Sequence, residues 1–294
     1  MKNKINYLLL FVALMGFSTM GIVTKTIIGG VPATQITFLR FFIGGLALIP
    51  LALWDMKKRK IHLTAKDYLK LAGLGILNVA VSMNLGNIGL KYTSANISAV
   101  LFGSNPVYVG IFAWFIVHEK MNWKKFCGLL LGMAGVFVIF AQAFFEATID
   151  SLFVMGATCS IAGAVIYALY TVLGKSVAQK TGSLIYTAFT NLFGSIASMG
   201  ILAAQGIRPF AFDYRSYWPQ LLYISLFVTA FSFYCYFKVL ETENASLASM
   251  VFFFKPAVVI VLSAILLHEP VTWNLIAGTI ILLCGVYAAK KGSR

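Results

Sequence analysis

Long apolar runs alternate with short polar or charged separators along the whole chain. Ten runs of 17 to 24 residues are dominated by hydrophobic side chains, at 6–28, 34–54, 68–90, 95–117, 123–143, 152–174, 184–206, 217–240, 245–267 and 273–289. A helix needs about 20 apolar residues to cross the hydrocarbon core of a bilayer. The separators carry glycine, proline or charge, which end helices. This pattern predicts an all-α membrane protein with ten transmembrane helices.

The composition of the 294 residues agrees with a membrane location. Hydrophobic residues make up 60% of the chain and charged residues only 11%, whereas soluble domains carry about 25% charged residues. This balance argues against a soluble enzyme or a disordered protein. The first run follows Lys2 and Lys4 and is longer than a typical secretory signal core, so we expect it to be retained as the first helix.

The lysines and arginines are concentrated on one side of the predicted membrane arrangement. The net charge is +14. With the amino terminus inside the cell, the inner segments carry 17 lysines and arginines and the outer segments carry 4, while Arg40 and Lys255 fall inside runs. Basic residues concentrate on the cytoplasmic side of membrane proteins. We therefore expect a multi-pass protein of the cell membrane with both termini in the cytoplasm, whose charge faces the lipid bilayer and not a nucleic acid.

The chain repeats itself at a constant offset of 150 residues. The matching positions are Pro106 and Pro256, His118-Glu119 and His268-Glu269, Trp123 and Trp273, Phe102 and Phe252, and Gly135-Val136 and Gly285-Val286. We predict two five-helix repeats, residues 1–145 and 146–294. Because five is odd, the second repeat enters the membrane inverted. Inverted repeats of this kind enclose a central substrate cavity in secondary transporters.

These residues also carry a family resemblance. Its motifs are Lys91-Tyr92-Thr93-Ser94-Ala95, Pro106, His118-Glu119, Ala245, Pro256 and His268-Glu269. In them the chain resembles ten-span, EamA-type members of the drug/metabolite transporter superfamily. The resemblance implies an exporter or exchanger of amino acids or other small metabolites. It also implies a cavity lined by the first, third, fourth, sixth, eighth and ninth helices.

Lys255 is the first candidate for substrate binding, because it lies in the middle of the ninth run. An ammonium at the centre of a bilayer costs at least about 2.5–3.5 kcal/mol. We expect it to face a water-filled cavity and an anionic group. The alternative is an internal partner, such as a backbone carbonyl at Pro256. Asn105 occupies the equivalent position in the first repeat, also before a proline, and is a second candidate.

Prolines and one arginine provide further candidates. Pro106 and Pro256 each remove a helix hydrogen bond and act either as hinges or as fixed kinks. Arg40 lies six residues into the second run. It either extends to the outer surface, contacts the substrate or pairs with another helix.

Amides and aromatic rings complete the predicted site. Asn84 and Asn87 lie in the third run, where a lipid-facing amide is unfavourable, so they line the cavity or bond to another helix. Phe102, Tyr170 and Tyr234 lie in runs that the resemblance places around the cavity. Their rings either contact the substrate or pack between helices.

Residue types that the apolar runs lack limit the possible substrates and reactions. None of the nine carboxylates lies in the middle of a run, so no buried acid is available for a cationic substrate. We therefore predict secondary or exchange transport of small anionic or zwitterionic metabolites, with a channel or scramblase as the alternative. A membrane-embedded enzyme is less favoured, because no HExxH or GxSxG motif is present. We expect no metal and no cofactor, and a monomer or homodimer.

Overall fold

The structure, a computed structural model, describes residues 2–27, 30–93, 97, 101–139, 141, 145, 149–267 and 273–292. Every regular element among these residues is a helix. In chain order they are α1 (Lys2–Lys25), α2 (Ala33–Arg59), α3 (Ala65–Gly75), π1 (Ile76–Met83), α4 (Asn84–Tyr92), α5 (Asn105–Ile116), α6 (Trp123–Ile139), α7 (Ser151–Thr181), α8 (Ser183–Ala204), α9 (Tyr214–Leu222), π2 (Tyr223–Phe231), α10 (Ser232–Leu240), α11 (Ala245–Ser249), α12 (Val251–Leu267) and α13 (Trp273–Gly292). The all-α prediction is confirmed.

Among the described residues, six helical stretches are long and apolar enough to cross a membrane. They are Lys4–Thr24, Ala33–Arg59, Ala65–Tyr92, Ser151–Thr181, Ser183–Ala204 and Arg215–Leu240. Shorter apolar helices include Leu101–Ile116 and Ala245–Lys255. The chain is therefore a multi-pass membrane protein by the length and composition of its helices.

Local sequence signals set several helix ends. At the start of α3, the Thr64 hydroxyl accepts from the Asp67 amide, and the Asp67 carboxylate accepts from the Thr64 amide. This reciprocal arrangement satisfies backbone donors at a helix start. At the start of α7, the Asp150 carboxylate accepts one hydrogen bond from the Phe153 amide, at 2.7 Å. Lys60, with φ of 53°, ends α2 in the left-handed conformation.

Two π-helical segments interrupt long helices. π1 continues α3 into α4, and π2 continues α9 into α10, so the two segments overlap at the repeat offset of 150 residues. Such segments are rare, and each backbone bond spans one residue more than in an α-helix. Side chains add donors here: the Asn84 amide bonds to the Val79 and Ala80 carbonyls, both at 3.1 Å. Thr229 bonds to the Ile224 carbonyl at 2.8 Å.

The helices form two compact units. Unit 1 comprises Met1–Asn84 and Leu173–Glu243, and unit 2 comprises Leu85–Val172 and Asn244–Arg294. Each unit therefore contains helices from both predicted repeats. The α7 helix and the π1–α4 helix each contribute to both units.

In unit 1, α2 and α8 pack side by side in opposite directions. The contacting pairs are Thr34 with Gln205, Gly45 with Leu192 and Arg59 with Gly182. The partner's residue number falls as the α2 residue number rises, so the helices are antiparallel. The absence of a side chain at Gly45 permits this approach, since a Cβ there would lie 2.8 Å from the Leu192 nitrogen.

Other helices of unit 1 pack on this pair. The backbone of Gly44 lies close to the Ser225 carbonyl in π2, and Gly194 lies against Gly75 at the end of α3. The amide of Asn6 in α1 donates to Glu243 at 2.8 Å. Small residues at these contacts let helix backbones approach closely within a membrane.

In unit 2, α6 and α13 form a second antiparallel pair. The contacting residues are Gly128 with Ala289, Gly132 with Gly285, Gly135 with Leu282 and Ile139 with Gly278. A buried apolar cluster surrounds the pair and includes Leu129, Val136, Phe253 and Leu282. Packing between α6 and α13 is thus backbone against backbone at glycines, with larger apolar residues on both sides.

A buried ionic cluster joins α5–α6 to α11 in unit 2. Glu119 accepts hydrogen bonds from the amides of Ala245 and Ser246, and from the Ser246 hydroxyl at 2.7 Å. The Lys125 ammonium lies 3.6 Å from Glu119 and donates to the Lys120 carbonyl. Glu119 therefore anchors a helix start of the second repeat to the first repeat.

Because α6 and α13 are in close contact, we expect a single methyl group added at Gly135 to destabilise the protein. A Cβ at position 135 would lie 2.5 Å from the Leu282 nitrogen and 2.7 Å from the Gly278 oxygen, so G135A should destabilise the protein by about 1–3 kcal/mol. The matched control is G200A, because a Cβ there meets nothing within 4 Å and alanine favours helix. Thermal unfolding of the purified protein in detergent measures both; equal melting temperatures for the two variants would contradict the packing described.

The π1 segment predicts a structural role for Asn84. N84L removes two donors from the Val79 and Ala80 carbonyls, so we expect a loss of about 1–3 kcal/mol in the free energy of unfolding. T229V in π2 removes one such bond and should have the smaller effect. Chemical unfolding in detergent compares the two, and an N84L variant as stable as the wild type would exclude this role.

Candidate functional site

Four aromatic rings meet in unit 2 and form what we call the Tyr167 cluster. The Tyr167 ring lies 5.9 Å from Phe102, 5.6 Å from Phe252 and 5.7 Å from Tyr170, measured between ring centroids. Tyr167 and Tyr170 are buried, and the two phenylalanines are half-buried. Aromatic pairs at these separations stabilise each other.

Two polar candidates follow the phenylalanines of this cluster in the chain. Lys255 follows Phe252 by three residues within α12, a spacing that places side chains on one helix face. Asn105 follows Phe102 by three residues across the turn at Ser104. Asn105 is only 1% exposed, and its amide donates to the Ala164 carbonyl at 3.0 Å. Its Oδ1 accepts no hydrogen bond from the described residues. The Lys255 side chain is half-buried.

The internal repeat relates the two phenylalanines that converge on Tyr167. Phe102 and Phe252 are equivalent at the offset of 150 residues, and so are Asn105 and Lys255. Equivalent positions of the two repeats thus approach the same tyrosine from different helices. Tyr167 was not distinguished by the sequence from the other aromatic residues; its place three residues before Tyr170, on a common face of α7, was the available signal.

The candidate hinge prolines lie at these same positions. A turn at Ser104 precedes α5, and Pro106 occupies its first turn, where proline's missing N–H removes no helix bond. Pro256 lies within α12. Its side chain lies outside the described residues, as do His268 and Glu269.

Arg40 is enclosed in unit 1. Its side chain is 1% exposed, so of the three roles considered, extension to the outer surface is excluded in this structure. The guanidinium donates to the sulfur atoms of Met20 at 3.0 Å and Met83 at 3.3 Å. It also lies 4.5 Å from the centroid of the Phe41 ring. Thioether sulfur is a weak acceptor, so this environment holds the cation by soft, polarisable contacts.

The remaining candidates divide between the units. Asn84 ends π1 in unit 1 and bonds to its own helix, whereas Asn87 is half-buried in α4 of unit 2. Tyr234 belongs to unit 1 and borders a polar cleft of about 290 Å³. The other residues of that cleft are Asp55, Arg59, Ser183, Leu184, Lys238 and Glu241.

The cleft beside Tyr234 is bordered by two ion pairs. Arg59 bonds to Asp55 at 3.2 Å, and Lys238 bonds to Glu241 at 2.7 Å. The structure therefore separates the predicted site residues into a group around Tyr167, an enclosed Arg40, and Tyr234 at this cleft.

Known proteins are similar to this chain in sequence and in fold. The EamA-like transporter family matches residues 4–141 and again 154–289. An "uncharacterized transporter" of Clostridium kluyveri is 31% identical over 96% of this chain and 92% of its own length. "Uncharacterized transporter YvbV" of Bacillus subtilis is 30% identical over 100% and 93%.

More distant proteins extend the comparison. A "WAT1-related protein" of Arabidopsis thaliana is 23% identical over 99% of this chain and 91% of its own length. A solved crystal structure with a TM-score of 0.81 and 19% identity covers 97% of this chain and 96% of its own chain, and so shows the same fold. With a family match over most of its length, in two copies, this chain belongs to the EamA-like transporter family, within the drug/metabolite transporters.

Proposed function

We propose that this protein is a secondary or exchange transporter that exports small anionic or zwitterionic metabolites such as amino acids. Membership of a transporter family supports the transport class. The observation that carries the substrate class is that Asn105 and Lys255 occupy equivalent positions of the two repeats, each three residues after a phenylalanine that contacts Tyr167.

The chemistry of these groups suits a zwitterion. The ammonium of Lys255 pairs with a carboxylate, and the Oδ1 of Asn105 accepts a hydrogen bond from an ammonium group. The half-buried rings of Phe102 and Phe252 offer an apolar surface to a substrate side chain. Among the described residues, no aspartate or glutamate lies in the middle of a helix to favour a cation. The substrate is therefore held by charge at one end and by ring contacts at the other.

Transport is proposed to proceed by alternating access between inverted repeats around a central cavity. Helix pairs that are equivalent at the offset of 150 residues, α2 with α8 and α6 with α13, pack antiparallel. If both members of a pair cross the bilayer, the repeats have opposite orientations. Rocking of one repeat-related body against the other then exposes a fixed site to each side in turn.

Recurring contacts support the same symmetry. The contact of Gly44 with Ser225 becomes that of Gly194 with Gly75 when each residue is shifted by 150. The contact of Gly128 with Ala289 likewise becomes that of Gly278 with Ile139. Contacts that recur with exchanged partners are expected of a two-fold axis that relates the repeats.

We also propose that both termini lie in the cytoplasm; contacts within unit 1 agree with the division of helix ends between two membrane faces on which this topology rests. Residues that we assign to the inner face contact each other, as Asp67 does with Lys180 at 2.6 Å. Residues that we assign to the outer face do the same, since Gln35 donates to the carbonyl of Arg208 at 3.1 Å.

A channel or scramblase is the alternative from another class. It would show flux that rises linearly with substrate concentration, whereas an alternating-access transporter saturates and exchanges. A membrane-embedded enzyme would require a nucleophile and base at one depth, and the three histidines lie far apart in the sequence, at 62, 118 and 268.

The substrate class is tested on Lys255. Purified protein is screened by thermal shift against amino acids and organic acids, and the stabilising compound is then followed by counterflow in liposomes. K255A should abolish the thermal shift and slow counterflow roughly tenfold or more, because a charged hydrogen bond is lost. K255R should retain part of both.

K91A is the matched control, since Lys91 is an exposed lysine at the end of α4 and should behave as the wild type. Wild-type shift and counterflow in K255A would remove Lys255 from the site. A screen in which only cationic compounds stabilise the protein would reject the substrate class.

The orientation of the repeats is tested at two equivalent exposed positions. Lys58 and Arg208 are related by the offset of 150 residues. In a variant without native cysteines, R208C should react with a membrane-impermeant maleimide in intact cells, whereas K58C should react only after permeabilisation. Equal reactivity of both positions in intact cells would show that the repeats are not inverted.

A further inference from the structure

The second half of α2 exposes an apolar face, and this face becomes basic in the last turn of the helix. Leu46, Pro50, Leu53, Trp54 and Lys57 are all exposed, and their spacing puts them on one side of the helix. Trp54 is 60% exposed. Tryptophan is enriched where a bilayer core meets its headgroups, so Trp54 marks that level and the residues after it lie among headgroups.

The segment that follows is basic and exposed. It runs from residue 57 to residue 70, from the last turn of α2 into the first turns of α3, and we call it the basic hairpin. Its exposed lysines are Lys57, Lys58, Lys60, Lys66 and Lys70. The Lys58 ammonium lies 4.8 Å from the centroid of the Trp54 ring, which fixes one of these charges beside the interfacial ring.

The carboxylates near the basic hairpin are already occupied. Asp67 is buried, accepts from Thr64 and bonds to the Lys180 ammonium at 2.6 Å. Asp55 accepts from Arg59 at 3.2 Å. No ion pair within the described residues involves any of the five exposed lysines. The basic hairpin therefore presents five positive charges that no carboxylate in the described part of the chain neutralises.

An apolar side chain lies among these charges. Leu69, between the α3 positions of Lys66 and Lys70, is 73% exposed. Together with the apolar face of α2, it offers contact to acyl chains directly beside the charges. An acidic protein or a nucleic acid would match the lysines alone and leave Leu53, Trp54 and Leu69 uncovered.

We propose that the basic hairpin is a binding surface for the headgroups of anionic phospholipids. The lysines neutralise lipid phosphates, while Trp54 and Leu69 reach the boundary between headgroups and acyl chains. Each lysine near a charged lipid surface contributes about 1 kcal/mol, and salt screens this attraction. The surface is independent of the substrate site and of the direction of transport.

Quenching of Trp54 fluorescence by brominated lipid tests the proposal. The full-length protein is reconstituted into vesicles that mix phosphatidylcholine with phosphatidylglycerol, with bromine on one or the other lipid. Subtraction of the W54F signal isolates Trp54. At low salt, brominated phosphatidylglycerol should quench Trp54 with a relative affinity roughly tenfold or more above that of phosphatidylcholine.

Substitution and salt give two independent checks. The triple variant K57Q, K58Q and K60Q should lower this preference roughly tenfold, and raising the salt to about 1 M should lower it in the unaltered protein. The control triple K4Q, K290Q and K291Q removes the same charge from other exposed positions and should keep the preference. Equal quenching by both lipids in the unaltered protein, or an equal loss in the control triple, would overturn the proposal.

Discussion

Close approach of helix backbones at glycine is the constraint on which both units depend. Between helices in a bilayer there is no hydrophobic driving force, because lipid chains are as apolar as leucine, so association depends on packing and on interhelical bonds. In unit 1, Gly45 meets α8 and Gly194 meets Gly75; in unit 2, Gly135 meets Leu282. A side chain at these positions would separate the backbones and remove the many short contacts on either side.

Within unit 2, the polar groups enclosed by this packing are arranged in two different ways. In unit 2, Glu119 is surrounded by amides and a hydroxyl and has Lys125 nearby, which is the arrangement expected of a permanent structural joint. Near the Tyr167 cluster, Asn105 keeps an acceptor that no described group satisfies. A buried acceptor in that state is unfavourable until a donor reaches it, which distinguishes Asn105 from Glu119, whose oxygens accept hydrogen bonds from Ala245 and Ser246.

The all-helical fold is predictable from the sequence, because each apolar run is about as long as a bilayer-crossing helix. Residues such as Thr64 and Asp150 in the separators also indicate where helices begin. The sequence also gives Asn105 and Lys255 as candidates through their equivalent positions, and their role in binding stays a prediction. It does not reveal which helices pair: the alternation of apolar and polar residues is the same whether α6 packs on α13 or on a neighbour. The π segments and the two methionines around Arg40 also leave no distinct signal, since Ile, Val, Ala and Met suit an α-helix or lipid contact equally well.

The π1 segment has a consequence for the chain's tolerance of length changes. A backbone bond that spans five residues instead of four accommodates one additional residue within the turn. Removal of one residue between Ile76 and Met83 would let the ladder close as an ordinary α-helix, while α3 and α4 keep their own faces. We therefore expect the sequences of relatives to carry single-residue gaps at π1, in the third apolar run, and at π2, in the eighth apolar run, more readily than elsewhere in the membrane-spanning helices.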